Sequence, residues 1–564
     1  MAARMDDPVF QLSSDLVDAY SKLSPVMASM AGVPGVFDGW DDYSPEGGER
    51  LRAFYAEQRE RLDALPPASD RWARLARRVT ADFLDDKLAY HEHGDDLRDL
   101  NNIESPFQHL RMVFDVMDTS TVEGWEALVR RLETFQVPLA GYQKALEAGA
   151  KKGLVAAKRQ VRAVTQQARA AAASDSSFLE VVRAVQASPL TTPAQRARAA
   201  EAFDGVRAAC AGFADFLERY EEQAALADAF GAERYARASK RFLGMTIDPL
   251  ETYAWGWAEV ARIEEQMRVI CEGIAPGKTV KEVVEALQND PTQRVEDHQA
   301  FLQLVREREE RALRELLGSH FDVPEPIRTI EIKLAPAGGA LGAYYIPPSD
   351  GFTRPGTVFY APGEGHAFTI FSEITTAYHE GFPGHHLQCG LQVYLADRLS
   401  KLHRLFVVNS GYAEGWALYA EELMDELGYL DKPEYVLGML LAKQFRAVRV
   451  VADIGMHLGL SVPESERYAP GQAWSWELCV AMLEDRAFLT RAFAESEATR
   501  YLGWPGQATS YKIGERVILD LRSELRAALG DEFDLRAFHD AVLTSGSVGL
   551  EHLQSIVREA LLPG

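Results

Sequence analysis

Apolar residues recur at three- and four-residue spacing, with charges between them, from about residue 10 to residue 320, as in GWEALVRRLETFQVPLAGYQKALEAGA at 124–150. That period predicts a succession of amphipathic helices. Breaks fall at clusters of Pro, Gly and Asp such as AGVPGVFDGWDDYSPEGG and ASPLTTPAQ. The pattern changes over residues 323–363, where TIEIKL, LGAYYI and TVFYA stand between Pro/Gly turns. These short β-rich runs predict one small antiparallel sheet at about 328–361. Helical spacing resumes near Ala367 and continues to the C-terminus, so the expected fold class is mainly α. A chain of 564 residues exceeds what one core organises, and a helical lobe over 1–250 followed by a lobe over 251–564 is expected. No fixed-period repeat or long heptad run stands out, and the oligomeric state has no sequence signature.

Charge narrows the choice of partners. The formal net charge of −24 opposes a phosphate backbone, so no nucleic-acid partner is expected. The most basic stretch, at 143–170, is read as a solvated helix face. No run of about twenty residues is free of charge, and no membrane span or membrane partner is expected. The first sixteen residues carry no apolar run, and Cys210, Cys271, Cys389 and Cys479 form no CxxC pair. A reducing, cytoplasmic location without disulfides is therefore expected.

The candidate chemistry lies in YHEGFPGHHLQ, residues 378–388. In an HExxH zinc helix the two histidines are four residues apart and share one face. Here the residue four beyond His379 is Pro383, and the next histidines are His385 and His386. On a straight helix these would stand about 9 and 10.5 Å along the axis, beyond the reach of one ion shared with His379. Pro383 removes a helix hydrogen bond and Gly384 frees the backbone, so a bulge or local unwinding is expected here. Two residues absorbed in it would bring His385 to the second-ligand place, with His386 beside it contacting substrate or a ligand. His386 itself remains the other choice for second ligand.

A downstream acid completes the set. In NSGYAEGWALYAEEL, 409–423, Asn409 or Ser410 caps a helix on which Glu414, Ala417, Leu418 and Glu421 share a face. A buried Glu414 needs a cation or an Arg as partner. Glu421 is placed to orient a ligand imidazole or to form an ordinary ion pair.

These residues resemble a known family. His379 through Gln388 is similar to the H-E-x-x-P-G-H-x-x-Q signature of the bacterial domain-of-unknown-function 885 family. AYYIPPSDG at 343–351, EGWALYAEEL at 414–423, RVVADIGMH at 449–457 and WPGQATSYKIG at 504–514 also resemble it. The family is similar to zincin metallopeptidases of the glutamate-ligand type, among them thermolysin, the thimet oligopeptidases and the thermostable carboxypeptidases. Glu414-Gly415-Trp416-Ala417 is also similar to the NEGFA segment of aminopeptidase N relatives. The resemblance implies a large helical zincin-like fold with the catalytic lobe over 251–564. It implies one zinc ion per chain on His379, His385 and Glu414, with Glu380 as general base.

Further residues are candidates around such a centre. Tyr511 and His457 are candidate donors to an oxyanion, each otherwise a buried, hydrogen-bonded side chain. Arg449 is a candidate partner for a substrate carboxylate, or else an ion pair with Asp453 one turn on. His386, Gln388 and Gln507 are candidates to hold substrate or ligands. The expected function is zinc-dependent hydrolysis of short peptides, of oligopeptidase or carboxypeptidase type. The alternatives are a non-catalytic zincin-like scaffold that binds peptides or partners, and a metal-dependent hydrolase of another amide. A di-iron bundle is disfavoured, because none of the 13 histidines has Glu three residues before it.

Overall fold

The structure is a computed structural model and describes residues 4, 6–335, 342–362 and 367–562. It is mainly helical with small sheets. Two compact units are formed, Met1–Asp228 with Ala396–Val407, and Ala229–Leu395 with Val408–Gly564. The first unit thus ends before the boundary at 250 expected from the sequence and takes in a later segment. The reason is packing: Leu402, in that segment, is fully buried in the same core as Leu12, Leu16, Tyr20, Tyr55 and Leu84.

The rest of the first unit is organised by the helix Pro193–Tyr220. Thr192 and Gln195 close a capping box at its start, and Pro193 sits at a first-turn position that needs no N–H donor. Ala199, Ala202, Val206, Cys210, Phe213, Leu217 and Tyr220 line one stripe and enter a core with Phe107, Leu128, Tyr142 and Val164. The basic stretch is paired within the unit, for example Arg162 to Glu221 at 2.8 Å and Arg169 to Glu218 at 2.7 Å.

The five strands found among the described residues all lie in the second unit. β1 (Arg294–Val295) pairs antiparallel with β5 (Phe368–Thr369). β2 (Glu331–Leu334), β3 (Tyr344–Ile346) and β4 (Thr357–Tyr360) form a second sheet in the order β2-β4-β3. This sheet is mixed, correcting the antiparallel expectation: β2 and β4 run parallel, β3 and β4 antiparallel. β4 takes the centre and is the most buried of the three. Thr357, Val358 and Tyr360 are buried in β4, whereas every residue of β3 is half-exposed. Leu341, at the start of the predicted LGAYYI run, lies outside the described residues.

The mixed sheet sits behind the helix Ile370–Glu380. Ile332, Val358 and Tyr360 pack with Phe301, Val305, Phe368 and Ala377, and the rings of Phe301 and Phe368 stack at 3.8 Å. From another side the helix Pro433–Leu458 meets it at Gly438, where a Cβ would stand 1.9 Å from the Phe371 carbonyl oxygen. The helix is therefore held closely by its neighbours. No helix among the described residues is long and apolar enough to cross a membrane.

Candidate metal centre

The chain resolves the HEGFPGHH problem by stopping the helix. Ile370–Glu380 ends at Glu380, residues 381–384 turn through a cis Phe382–Pro383 bond, and a new helix, His385–Tyr394, begins. The expected bulge is thus a complete interruption between two helices. Gly384 is demanded by space, since a Cβ there would lie 1.9 Å from the His379 carbonyl oxygen. The turn is fixed from below by Trp416, whose Nε1–H donates to the Pro383 carbonyl at 2.9 Å.

Restarting the helix brings the two histidines together. The rings of His379 and His385 meet edge to face with centroids 4.9 Å apart. Glu414 reaches them from the helix Ser410–Glu426, which Asn409 caps by accepting from the Tyr412 N–H at 3.1 Å. Its Oε2 lies 3.4 Å from His379 Nε2 and 3.5 Å from His385 Nε2. That oxygen is shielded from solvent and has no hydrogen-bond partner.

Those separations fit one metal ion better than hydrogen bonds. Two donors about 2.1 Å from a tetrahedral ion stand about 3.4 Å apart. An imidazole N–H donating to a carboxylate would close to about 2.8 Å. Among the described residues, His379, His385 and Glu414 are the group whose ligand atoms all lie within 4.8 Å of one another. A buried, unpartnered carboxylate oxygen facing two imidazole nitrogens is a donor set suited to zinc.

The outer contacts set the tautomers. His379 Nδ1 meets Glu421 Oε1 at 2.8 Å, and the Thr375 hydroxyl donates to the other Glu421 oxygen. His385 Nδ1 meets Gln388 Oε1 at 3.5 Å, the far limit of a hydrogen bond. These contacts suit a proton on each Nδ1, and both Nε2 atoms face Glu414. Burial raises the Glu414 carboxyl, but the imidazoles of His379 and His385 overcome this and hold it well below the usual carboxylate range. Burial lowers His379, while Glu414 and Glu421 draw it up more strongly, to about 9. Charge of both signs is thus concentrated at one point.

The other candidates divide. Glu380, the last residue of its helix, is buried at 8% exposure beside the donors. Tyr511, on the helix Ser510–Leu529, is raised by burial first and by the nearby Glu414 carboxylate second, so its hydroxyl keeps its proton. His386 is taken up elsewhere: Tyr345 Oη meets its Nδ1 at 3.1 Å and the Ile327 carbonyl meets its Nε2 at 2.6 Å. It is therefore the neighbour of the donor set, and its pairing with the β3 side fixes the sheet rather than a substrate.

His457 is a correction. Its Nδ1 accepts from the Phe230 N–H at 3.2 Å and its Nε2–H donates to the Tyr501 carbonyl at 3.0 Å, leaving no donor for an oxyanion. Arg449 is another: it pairs with Glu497 at 2.9 Å, not with Asp453, although its Nη1 has no partner. Gln507 accepts from Arg500 at 3.1 Å and donates to the Ser410 hydroxyl at 3.3 Å, so it braces two helices.

Sequence reasoning missed three residues. Thr375, one turn before His379, had spacing as its signal. Glu373, two turns before Glu380 on the same helix, is raised to about 7 by burial and then by the Glu380 charge. Arg446 lies one turn before Arg449 in RAVR, and only its lack of a partner distinguishes it.

Comparison with known proteins agrees with the architecture. No curated protein matches the sequence. The crystal structure of the "putative lipoprotein from Colwellia psychrerythraea" superposes with a TM-score of 0.86 over 100% of both chains at 24% identity. A "putative lipoprotein of unknown function" from Shewanella oneidensis superposes at 0.71 over 97% of this chain and 99% of that one, at 19% identity. Such identities speak to the fold alone. The family profile described as "Bacterial protein of unknown function (DUF885)" matches residues 25–557, and the chain belongs to that family.

Proposed function

We propose that this protein is a zinc-dependent hydrolase of peptide bonds in short peptides, built on a zincin-like arrangement of helices. The observation that carries the proposal is the solvent-shielded Glu414 Oε2, without a hydrogen-bond partner, 3.4 and 3.5 Å from two imidazole nitrogens. A zinc ion on His379, His385 and Glu414 would supply Lewis acidity at the scissile carbonyl. Glu380 takes the proton of the attacking water and returns it to the leaving amine. Tyr511, kept protonated, donates to the oxyanion as it develops. Glu421, Thr375 and Gln388 hold the two imidazoles in the required tautomer. β3 is an edge of its sheet in the order β2-β4-β3, and an extended peptide can add to such an edge. Four cysteines with no disulfide among them fit a reducing compartment, and cytoplasmic action is part of the proposal.

Elemental mass spectrometry on protein purified without chelator should find about one zinc per chain. A library of short peptides should be hydrolysed, and chelation should abolish the hydrolysis. Absence of stoichiometric metal even after zinc is offered would end the proposal.

The support from Glu421 gives a graded test. Carboxylates that orient a ligand histidine typically contribute 10- to 100-fold to metal affinity. Glu421→Ala should weaken zinc binding by about that factor in a competition titration, and Thr375→Val by less. Equal affinity in wild type and Glu421→Ala would show that the imidazole holds its tautomer without this contact.

A further inference from the structure

The arginines beside Tyr511 are of two kinds. Arg449 and Arg500 both donate to Glu497 Oε2, each at 2.9 Å, and the Tyr501 hydroxyl donates to the same oxygen at 2.8 Å. Arg449 Nε also reaches Tyr501 Oη at 3.3 Å. This knot is buried, with Arg449 at 6% and Arg500 at 8% exposure, and each of the two holds an ion pair with Glu497 although Arg449 Nη1 and Arg500 Nε have no partner.

Arg446 lies one turn earlier on the same helix and outside the knot. Among the described residues it has no hydrogen-bond or ion-pair partner, although its Nε is shielded from solvent. The side chain is half-exposed, with its guanidinium carbon 6.0 Å from the Tyr511 ring centroid and 5.9 Å from that of Phe445. Arg449 stands 4.5 Å from the same Tyr511 ring. Arg446 is within electrostatic reach of Glu421, and Tyr511 is within reach of Glu414, so this cation borders the donor set.

Arg446 differs from Arg449 and Arg500 in having no carboxylate partner at all, and a shielded cationic donor left so is costly. The planar fork of a guanidinium matches a carboxylate, and Glu497 is already shared by two other arginines. We propose that Arg446 receives the free C-terminal carboxylate of the substrate, so that the enzyme cleaves near the carboxyl end of short peptides. This rests on the hydrolase reading above. Arg446 then selects the end of the chain, while Arg449 and Arg500 hold the wall on which it stands.

The test uses the zinc-loaded protein and peptide sets of one sequence: a free C-terminal acid, the matching carboxamide, and a carboxamide carrying an added Asp. The free acid should be cleaved with a kcat/KM about 100-fold above both amides. Arg446→Gln should collapse that preference, raising KM for the acid by about 10- to 100-fold at the same zinc content, and Arg446→Lys should restore part of it. Calorimetric titration with an N-acetylated dipeptide acid should show the same loss of affinity in Arg446→Gln. Equal cleavage of acid and amide, an acid preference that survives Arg446→Gln, or equal use of the Asp carboxamide would each overturn the proposal. If zinc binds but no peptide is cleaved, the hydrolase reading fails, and the titration decides separately. Weaker binding of the acid to Arg446→Gln keeps the carboxylate site, and equal binding removes it.

Discussion

Glu380→Gln should keep about one zinc per chain and lower kcat on short peptides by about 100- to 10,000-fold, the range general-base removal produces. The two halves of this result have separate physical causes. Glu380 is not one of the converging donors, which are His379, His385 and Glu414. Gln has nearly the same shape, so the helix end at Glu380 and its Gly381 cap need not move. What disappears is a carboxylate able to accept a proton. Glu414→Ala should do the reverse at the metal, because it leaves only two imidazoles to hold the ion. Elemental mass spectrometry paired with steady-state rates separates the two variants. Turnover of Glu380→Gln within about threefold of wild type would move the base elsewhere, and Glu373, two turns earlier on the same helix, would be the residue to examine. Loss of zinc in Glu380→Gln would instead make Glu380 a ligand.

Much of this centre is legible in the sequence because it is local or periodic. His379 and Glu380 close one helix, Glu414 and Glu421 stand two turns apart on another, and Asn409 announces that second helix by its capping preference. That His385 and not His386 faces His379 and Glu414 is not a local matter. Tyr345 and Ile327, 41 and 59 residues away, occupy both nitrogens of His386. Arg449 likewise has an attractive partner one turn along in Asp453, yet pairs with Glu497, 48 residues away in sequence. The sheet shows the same limit. Strand identity follows from composition, but the central place of β4 follows from burial on both faces, which is a property of the assembled unit. The segment Ala396–Val407 joins the first unit through the burial of Leu402, and no period in the sequence marks it.

Glycine provides a second large effect. Gly415→Ala should destabilise the protein by about 2 kcal/mol or more and lower activity by about 100-fold while zinc stays bound. Intrinsic preference points the other way, since Ala favours a helix interior over Gly by about 1 kcal/mol. Space decides the sign. A Cβ on Gly415 would lie 2.4 Å from the Gly514 carbonyl carbon and 2.6 Å from its Cα, and a Cβ on Gly514 would lie 1.9 Å from the Gly411 carbonyl oxygen. All of these neighbours are backbone, so no rotamer change relieves the overlap, and the helices Ser410–Glu426 and Ser510–Leu529 must part by about 1 Å. His379, His385 and Glu414 all lie outside the second of these helices and can stay together. Tyr511 lies on it, three residues before Gly514, and it is the group that moves away. Gly205→Ala supplies the contrast: it sits inside the helix Pro193–Tyr220 with nothing within 4 Å of a Cβ, and should stabilise by up to about 1 kcal/mol. Thermal unfolding of the two variants should therefore shift in opposite directions. A rise in Tm for Gly415→Ala would mean that the two helices do not meet at backbone contact, and Tyr511 would then lose its placement beside Glu414.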